Sequence, residues 1–161
     1  MTGELSHLDD AGRARMVEVG GKPDTQREAR ASARVVMQPS TWQLLSEGSL
    51  PKGDAWPVVR LAGIMGAKKT PELIPLCHPI ALTGVEIEIR HLTPGVLELE
   101  ALVRCQGKTG VEMEALTAAA VAALALYDMV KAVDREVVIG PIRLLEKSGG
   151  RSGHWTRKEE G

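Results

Sequence analysis

The chain has 161 residues, 43% of them hydrophobic and 25% charged, with 20 Lys and Arg against 21 Asp and Glu. That is enough for one domain with its own core, and three Trp, one Tyr and no Phe mean that Leu, Val, Ile, Ala and Met must build it. So few rings exclude an aromatic stacking surface for single-stranded nucleic acid, and a formal net charge of −1 excludes a general polyanion binder.

The first 26 residues are polar, with Asp9-Asp10, Gly20-Gly21 and Pro23, and read as a mostly irregular N-terminal arm. From Arg27 the pattern alternates. Ala29, Ala31, Ala33, Val35 and Met37 share one face and Arg30, Ser32 and Arg34 the other, as in a half-buried strand. Ser40 or Thr41 is the predicted cap of a short helix through Glu47, stopped by Gly48. A second helix is predicted over Ala55 to Lys69, after which Pro71, Pro75 and Pro79 should break the chain into a stiff, turn-rich connection. Val85, Ile87 and Ile89 alternate with charged residues, as do Leu97, Leu99, Ala101, Val103 and Cys105 after a Thr93-Pro94-Gly95 turn. These two strands form a hairpin. A long helix follows over Val111 to Val133, then a strand over Arg135 to Leu145 interrupted at Gly140-Pro141. Residues 147–161 read as a Gly, Ser and basic tail, mobile when empty.

The order β-α-β-β-α-β predicts an α+β fold of ferredoxin-like type over residues 27–146, an antiparallel sheet with its helices on one face. Eight of the 22 residues from Glu112 to Val133 are Ala, and that helix is apolar on nearly all sides, which predicts burial against more than one neighbour and hence self-association. Its apolar run, Ala115 to Leu126, is shorter than the roughly 20 residues a bilayer requires, so no membrane partner is expected. Cys77 and Cys105 make no disulfide framework and no signal-type segment opens the chain. A reduced, cytoplasmic protein is expected.

Four sets of residues carry candidate chemistry. Gly107-Lys108-Thr109-Gly110 looks like the end of a P-loop, but the glycine required five residues earlier is Leu102, which leaves either turn and cap chemistry or a simple anion site at a helix start. On the long helix, Glu114 and Asp128 point to broadly the same side, with Lys131 one turn beyond Asp128. They stand 14 residues apart, about 21 Å along a helix, so one small ligand meets both only if a second subunit supplies one of them. Glu112, nearly opposite Glu114, reads as a favourable charge at the helix N-terminus. Cys77-His78 lies in the proline-bracketed turn, where a held imidazole suits acid–base work or an anion contact; no further ligands complete a zinc set, so no metal site is expected. Finally Arg27, Arg30, Lys52, Lys68, Lys69, Lys147 and Arg151 are scattered cations, and the Lys147–Gly153 segment has the backbone freedom of a phosphate-closing flap.

Together Lys52-Gly-Asp54, Leu61-Ala-Gly-Ile-Met-Gly-Ala-Lys-Lys-Thr70, Leu73-Ile-Pro-Leu-Cys-His-Pro79, Gly107-Lys-Thr-Gly-Val-Glu-Met-Glu-Ala-Leu-Thr117, Tyr127-Asp-Met129, Lys131-Ala132 and Lys147-Ser-Gly-Gly-Arg-Ser-Gly153 resemble the cyclic pyranopterin monophosphate synthase family of molybdenum cofactor biosynthesis. The likeness runs from about Leu5 to Gly153. It implies conversion of 3′,8-cyclo-7,8-dihydroguanosine 5′-triphosphate to cyclic pyranopterin monophosphate with release of pyrophosphate, by a ferredoxin-like hexamer, a trimer of dimers with sites at the dimer interface. Carried over by motif, Leu76, Cys77, His78, Met113 and Glu114 would contact substrate, with Arg27, Lys68 and Lys147 as further binding groups. Asp128 would be the acid/base residue, Lys131 its cationic neighbour, and Lys52 and His78 further catalytic candidates. No dedicated cofactor is implied, with Mg²⁺ arriving, if at all, on the triphosphate. The chain departs from the family pattern at Gly66 (often Ala), Val130 (often Cys) and Arg151 (often Lys). The rival reading is a non-catalytic oligomeric ligand-binding module, a use to which ferredoxin-like domains are also put.

Overall fold

The computed structural model describes residues 6–158. Small apolar residues alternate through β1 (Thr25–Val36), and Ala29, Ala31, Ala33 and Val35 on its inner face are almost fully buried. After α1 (Pro39–Ser46) and α2 (Ala55–Leu73) the hairpin β2 (Leu82–Thr93) and β3 (Val96–Gly107) turns at Gly95, whose φ of 84° suits a residue without a side chain. Then come α3 (Glu112–Val130), β4 (Val138–Ser148) and the two-residue β5 (Trp155–Thr156). The five strands lie in the order β2-β3-β1-β4-β5, every neighbouring pair antiparallel. Inward residues of β1 and β3 face α3, while α2 packs beside α3 and over β2. The outer face is charged instead, with Arg30 Nη1 donating to Glu100 at 2.8 Å and Arg104 Nε to Glu28 at 2.7 Å.

Three expectations change. Neither Ser40 nor Thr41 caps α1: its N-cap is Gln38, whose side chain makes no capping bond, and Pro39 starts the helix. The cap comes from a residue far along the chain, for Asp134 Oδ2 accepts both the Gln38 N–H at 3.0 Å and the Thr41 hydroxyl at 2.9 Å. Pro71 does not end α2, which continues to Leu73. Proline costs one hydrogen bond there, and Thr70, fully buried, anchors the turn by donating its hydroxyl to the Gly66 carbonyl. The chain beyond Lys147 does not simply trail away: Lys147 and Ser148 belong to β4, and a glycine-rich turn returns the chain so that Trp155 pairs with Lys147.

α3 is the centre of the core. Ala115, Ala118, Ala119, Ala122, Ala123 and Leu126 are fully buried, so a helix long and apolar enough to cross a membrane is satisfied by protein on most sides. Small residues also bring α2 close. A Cβ on Gly66 would lie 2.9 Å from Val121 Cβ and 3.3 Å from the Thr117 carbonyl oxygen, so this glycine is required by the width of Val121 on α3. Gly66→Ala is therefore expected to destabilise the fold by about 1 kcal/mol, an overpacking cost of about 1–3 kcal/mol partly offset by the better helix propensity of Ala. Adding Val121→Ala should reverse that effect of the alanine, and a double-mutant cycle in urea measures it. Additive losses would show that the two side chains do not compete.

Candidate active site

Three elements converge on a cavity of about 310 Å³ at the N-terminal end of α3. The proline-bracketed turn supplies Leu76, Cys77 and His78, the start of α3 supplies Glu112, Met113 and Glu114 with Thr109 and Gly110 just before it, and the arm closes one side with His7, Val17, Val19 and Lys22. The N-cap of α3, Val111, makes no side-chain cap, so Gly107–Gly110 is not cap chemistry of the ordinary kind and the helix start faces the cavity. His78 Nε2 lies 2.5 Å from the Val17 carbonyl. A carbonyl can only accept, so Nε2 carries the proton and a neutral ring leaves Nδ1 as the basic nitrogen.

Glu114 is 3% exposed and its Oε2 has no hydrogen-bond partner. Burial pushes its pKa up from 4.5 to about 7, against the pull of its own backbone N–H and helped by the negative charge of Glu112. Burial, and then Glu114, likewise push the Cys77 thiol up, so it is no ready thiolate. The folded state thus holds the Glu114 proton more tightly than the unfolded chain does, and stability falls as pH rises from 4.5 to about 7. Glu114→Gln cannot ionise. In urea unfolding it is expected to gain on the parent protein between pH 4.5 and about 8, by at most about 3 kcal/mol; a constant difference across that range would mean that the carboxyl ionises as freely folded as unfolded.

A second cluster sits at the opposite end of α3. Asp128 Oδ1 pairs with Lys131 Nζ at 2.6 Å and Oδ2 accepts from Lys52 Nζ at 2.7 Å, on a side chain 54% exposed. Lys131, then Lys52, hold its pKa at about 2, so it is a carboxylate throughout the neutral range. Lys52 comes from the loop before α2, where Asp54 caps the helix by accepting the Trp56 N–H, which fixes the loop end. Within one chain this cluster and the Glu114 cavity stay separate, at residues 114 and 128 of a single helix.

The remaining predicted cations divide. Lys147 stands behind the first cavity without lining it, its Nζ 3.9 Å from Glu112 Oε1, and also bonds Ser152 in the following turn. Arg27 Nε donates to the Gly107 carbonyl at 3.0 Å and lines a neighbouring cleft with Lys22, Thr25, Gly150 and Arg151. Lys68 is exposed in a groove with Ile80 and Leu82, beside the first cavity through the shared Ile80. Lys69 pairs with Glu72 at 3.1 Å and Arg30 belongs to the outer sheet face. Two features escaped the sequence. Glu112 lines the same cavity as Glu114 because the cavity wraps the end of the helix rather than one side of it. The arm is structural to the site too, tied down by Lys108 Nζ donating to the Gly20 carbonyl at 2.7 Å; only the short apolar patch Met16 to Val19 hinted at it.

Comparison with known proteins gives consistent matches. The MoaC family model matches residues 16–150. The chain is 60% identical over 157 residues to a cyclic pyranopterin monophosphate synthase of Pelotomaculum thermopropionicum, covering 97% of this chain and 92% of that one. It is 59% identical over 157 residues to the synthase of the same name from Chloroflexus aggregans, covering 97% and 95%, and 57% identical over 158 residues to that of Thermomicrobium roseum, covering 98% and 95%.

Proposed function

The chain belongs to the MoaC family, and from that membership we propose that it is a cyclic pyranopterin monophosphate synthase, a lyase of molybdenum cofactor biosynthesis. Identity of 60% across nearly the whole chain carries this reading. The substrate is then 3′,8-cyclo-7,8-dihydroguanosine 5′-triphosphate. A ribose-derived hydroxyl attacks the inner phosphorus, the bond from that phosphorus to the pyrophosphate oxygen breaks, and pyrophosphate leaves as the cyclic phosphate closes. Purine-to-pterin rearrangement needs proton transfers at several heteroatoms, which the carboxylates, imidazole and ammonium groups of the two clusters supply. Asp128 acts as acid/base with Lys131 and Lys52, while His78 serves at the other cluster; the cations, with Arg27, Lys68 and Lys147, offset the charge of the triphosphate. Leu76, Cys77, Met113 and Glu114 form the binding walls.

The sheet order β2-β3-β1-β4 with α2 and α3 on one face supports a ferredoxin-like fold, to which α1 and β5 are additions. We place the complete site between two copies, in a dimer that assembles further to a hexamer. Exposed Val58, Leu61 and Met65 at helical spacing on α2, and Leu124 on α3, support a helix-faced contact. Both cysteines are free, as suits the reduced cytoplasm, and any Mg²⁺ travels with the triphosphate. Incubation with the cyclic triphosphate, assayed for pyrophosphate and for the cyclic monophosphate in equal amounts, tests the function. Binding without release of either product, across several Mg²⁺ levels, would leave a ligand-binding module instead.

A further inference from the structure

On the sheet face turned away from α2 and α3 lies a second cavity, about 650 Å³, sharing no residue with the Glu114 cavity or the Asp128 cluster. Among the described residues its lining holds Arg30, Arg34, Arg90, Arg143, Arg157 and Lys158 against Glu98, Glu100 and Glu146, a formal surplus of three positive charges. The pairing within it is uneven. Glu100 is shared by Arg30 at 2.8 Å and by Arg90, Glu98 takes Arg34 at 3.3 Å, and Glu146 takes Arg30 at 3.6 Å and His154 at 2.6 Å. Arg143, Arg157 and Lys158 form no ion pair among the described residues.

Two guanidinium nitrogens of this lining, Nε of Arg34 and Nε of Arg143, are buried without a hydrogen-bond partner. Both nitrogens are closed off by protein while their side chains are partly exposed, so these two guanidinium groups are held at the cavity wall without being used up by it, and a guanidinium fork is matched by the oxygens of a phosphate. Arg157 is already held in place, its Nε donating to the Leu144 carbonyl at 2.6 Å and its guanidinium 5.8 Å from the Trp155 ring centre. A fixed cation loses less freedom when it meets a ligand. We infer that this outer-face cavity binds a small oligophosphate, of the diphosphate class, at a site separate from the synthase centre, with Arg143 and Arg157 as its principal contacts and Arg34 and Lys158 beside them. The triple surplus suits an anion of three to four charges, and it is confined to a patch, so it does not conflict with the chain's near-zero net charge.

Titration of the whole protein with inorganic diphosphate, followed calorimetrically, tests this. A class of binding is expected that persists in Lys52→Ala, weakens with salt as exposed electrostatics do, and is stronger than binding of orthophosphate. Arg143→Gln and, separately, Arg157→Gln should each weaken it about 10-fold or more, the usual effect of losing one charged hydrogen-bonding group. Should Arg143→Gln fail to fold, Arg157→Gln, exposed just beyond the short edge strand, decides alone. The inference is overturned if diphosphate does not bind, if all binding is lost in Lys52→Ala, or if citrate binds equally well. It is also overturned if the arginine variants keep full affinity, including the case in which they alter only subunit assembly.

Discussion

Asp128→Asn is expected to lower product formation by about 10²- to 10⁴-fold, the range that a positioned acid or base contributes, with no change in thermal unfolding or oligomer size. The fold should not notice the change. Asp128 is exposed at the end of α3 and its two partners, Lys131 at 2.6 Å and Lys52 at 2.7 Å, are exposed as well, so these pairs contribute little to stability. Asn also keeps one oxygen to accept from a lysine. What it cannot do is take a proton. At rest the two ammonium groups hold the Asp128 pKa at about 2, which makes it a weak base. A triphosphate that draws Lys52 and Lys131 toward its own oxygens would relieve that hold and bring the carboxylate nearer to neutral working range, so that substrate binding itself prepares the group. Unchanged turnover by Asp128→Asn, at substrate levels where the parent protein is not saturated, would remove Asp128 from the chemistry.

How much of this was legible depended on whether the controlling contact is local. β1 and β3 were readable because a two-residue period of Ala, Val and Leu has one solution, burial of one face; the register Ala31 opposite Ala101 was not, because any shift by two residues keeps the same face inward. Gly48 and Gly95 were readable because their φ angles of 69° and 84° are demands of the immediate backbone. The start of α1 was not, since its cap is Asp134, almost a hundred residues away in the chain. Pro71 misled for a related reason: its helix-breaking cost is local, whereas the packing of the turn before it, with Gly66 against Val121 of α3 and Thr70 fully buried, is not. At the candidate site, Glu114, Asp128, Lys131 and His78 stood out as polar groups in an apolar or stiffened setting. The role of the arm was invisible, because Val17 contributes a backbone carbonyl to His78, and every residue type has one.

The separation of the two clusters leads to the most discriminating expectation. Glu114 and Asp128 belong to one α-helix, 14 residues apart, which is about 21 Å of helix. No bending within a buried, Ala-packed helix brings them to one small molecule. Two copies with α3 antiparallel across a two-fold axis would do so, setting the Glu114 end of one beside the Asp128 end of the other, and each dimer then holds two such sites. Glu114→Gln and Asp128→Asn, each inactive alone, are therefore expected to recover activity when co-expressed. In a mixed dimer one site receives both altered residues and the other receives neither. Random pairing makes half the dimers mixed, so about a quarter of the parent activity should return. The measurement is turnover by hetero-oligomers isolated through two different affinity tags. If a single subunit supplied both residues, every site in the mixture would carry one lesion and no activity would return, however completely the subunits had mixed; that result would dissolve the two-copy site and require the two ends of α3 to serve different ligands.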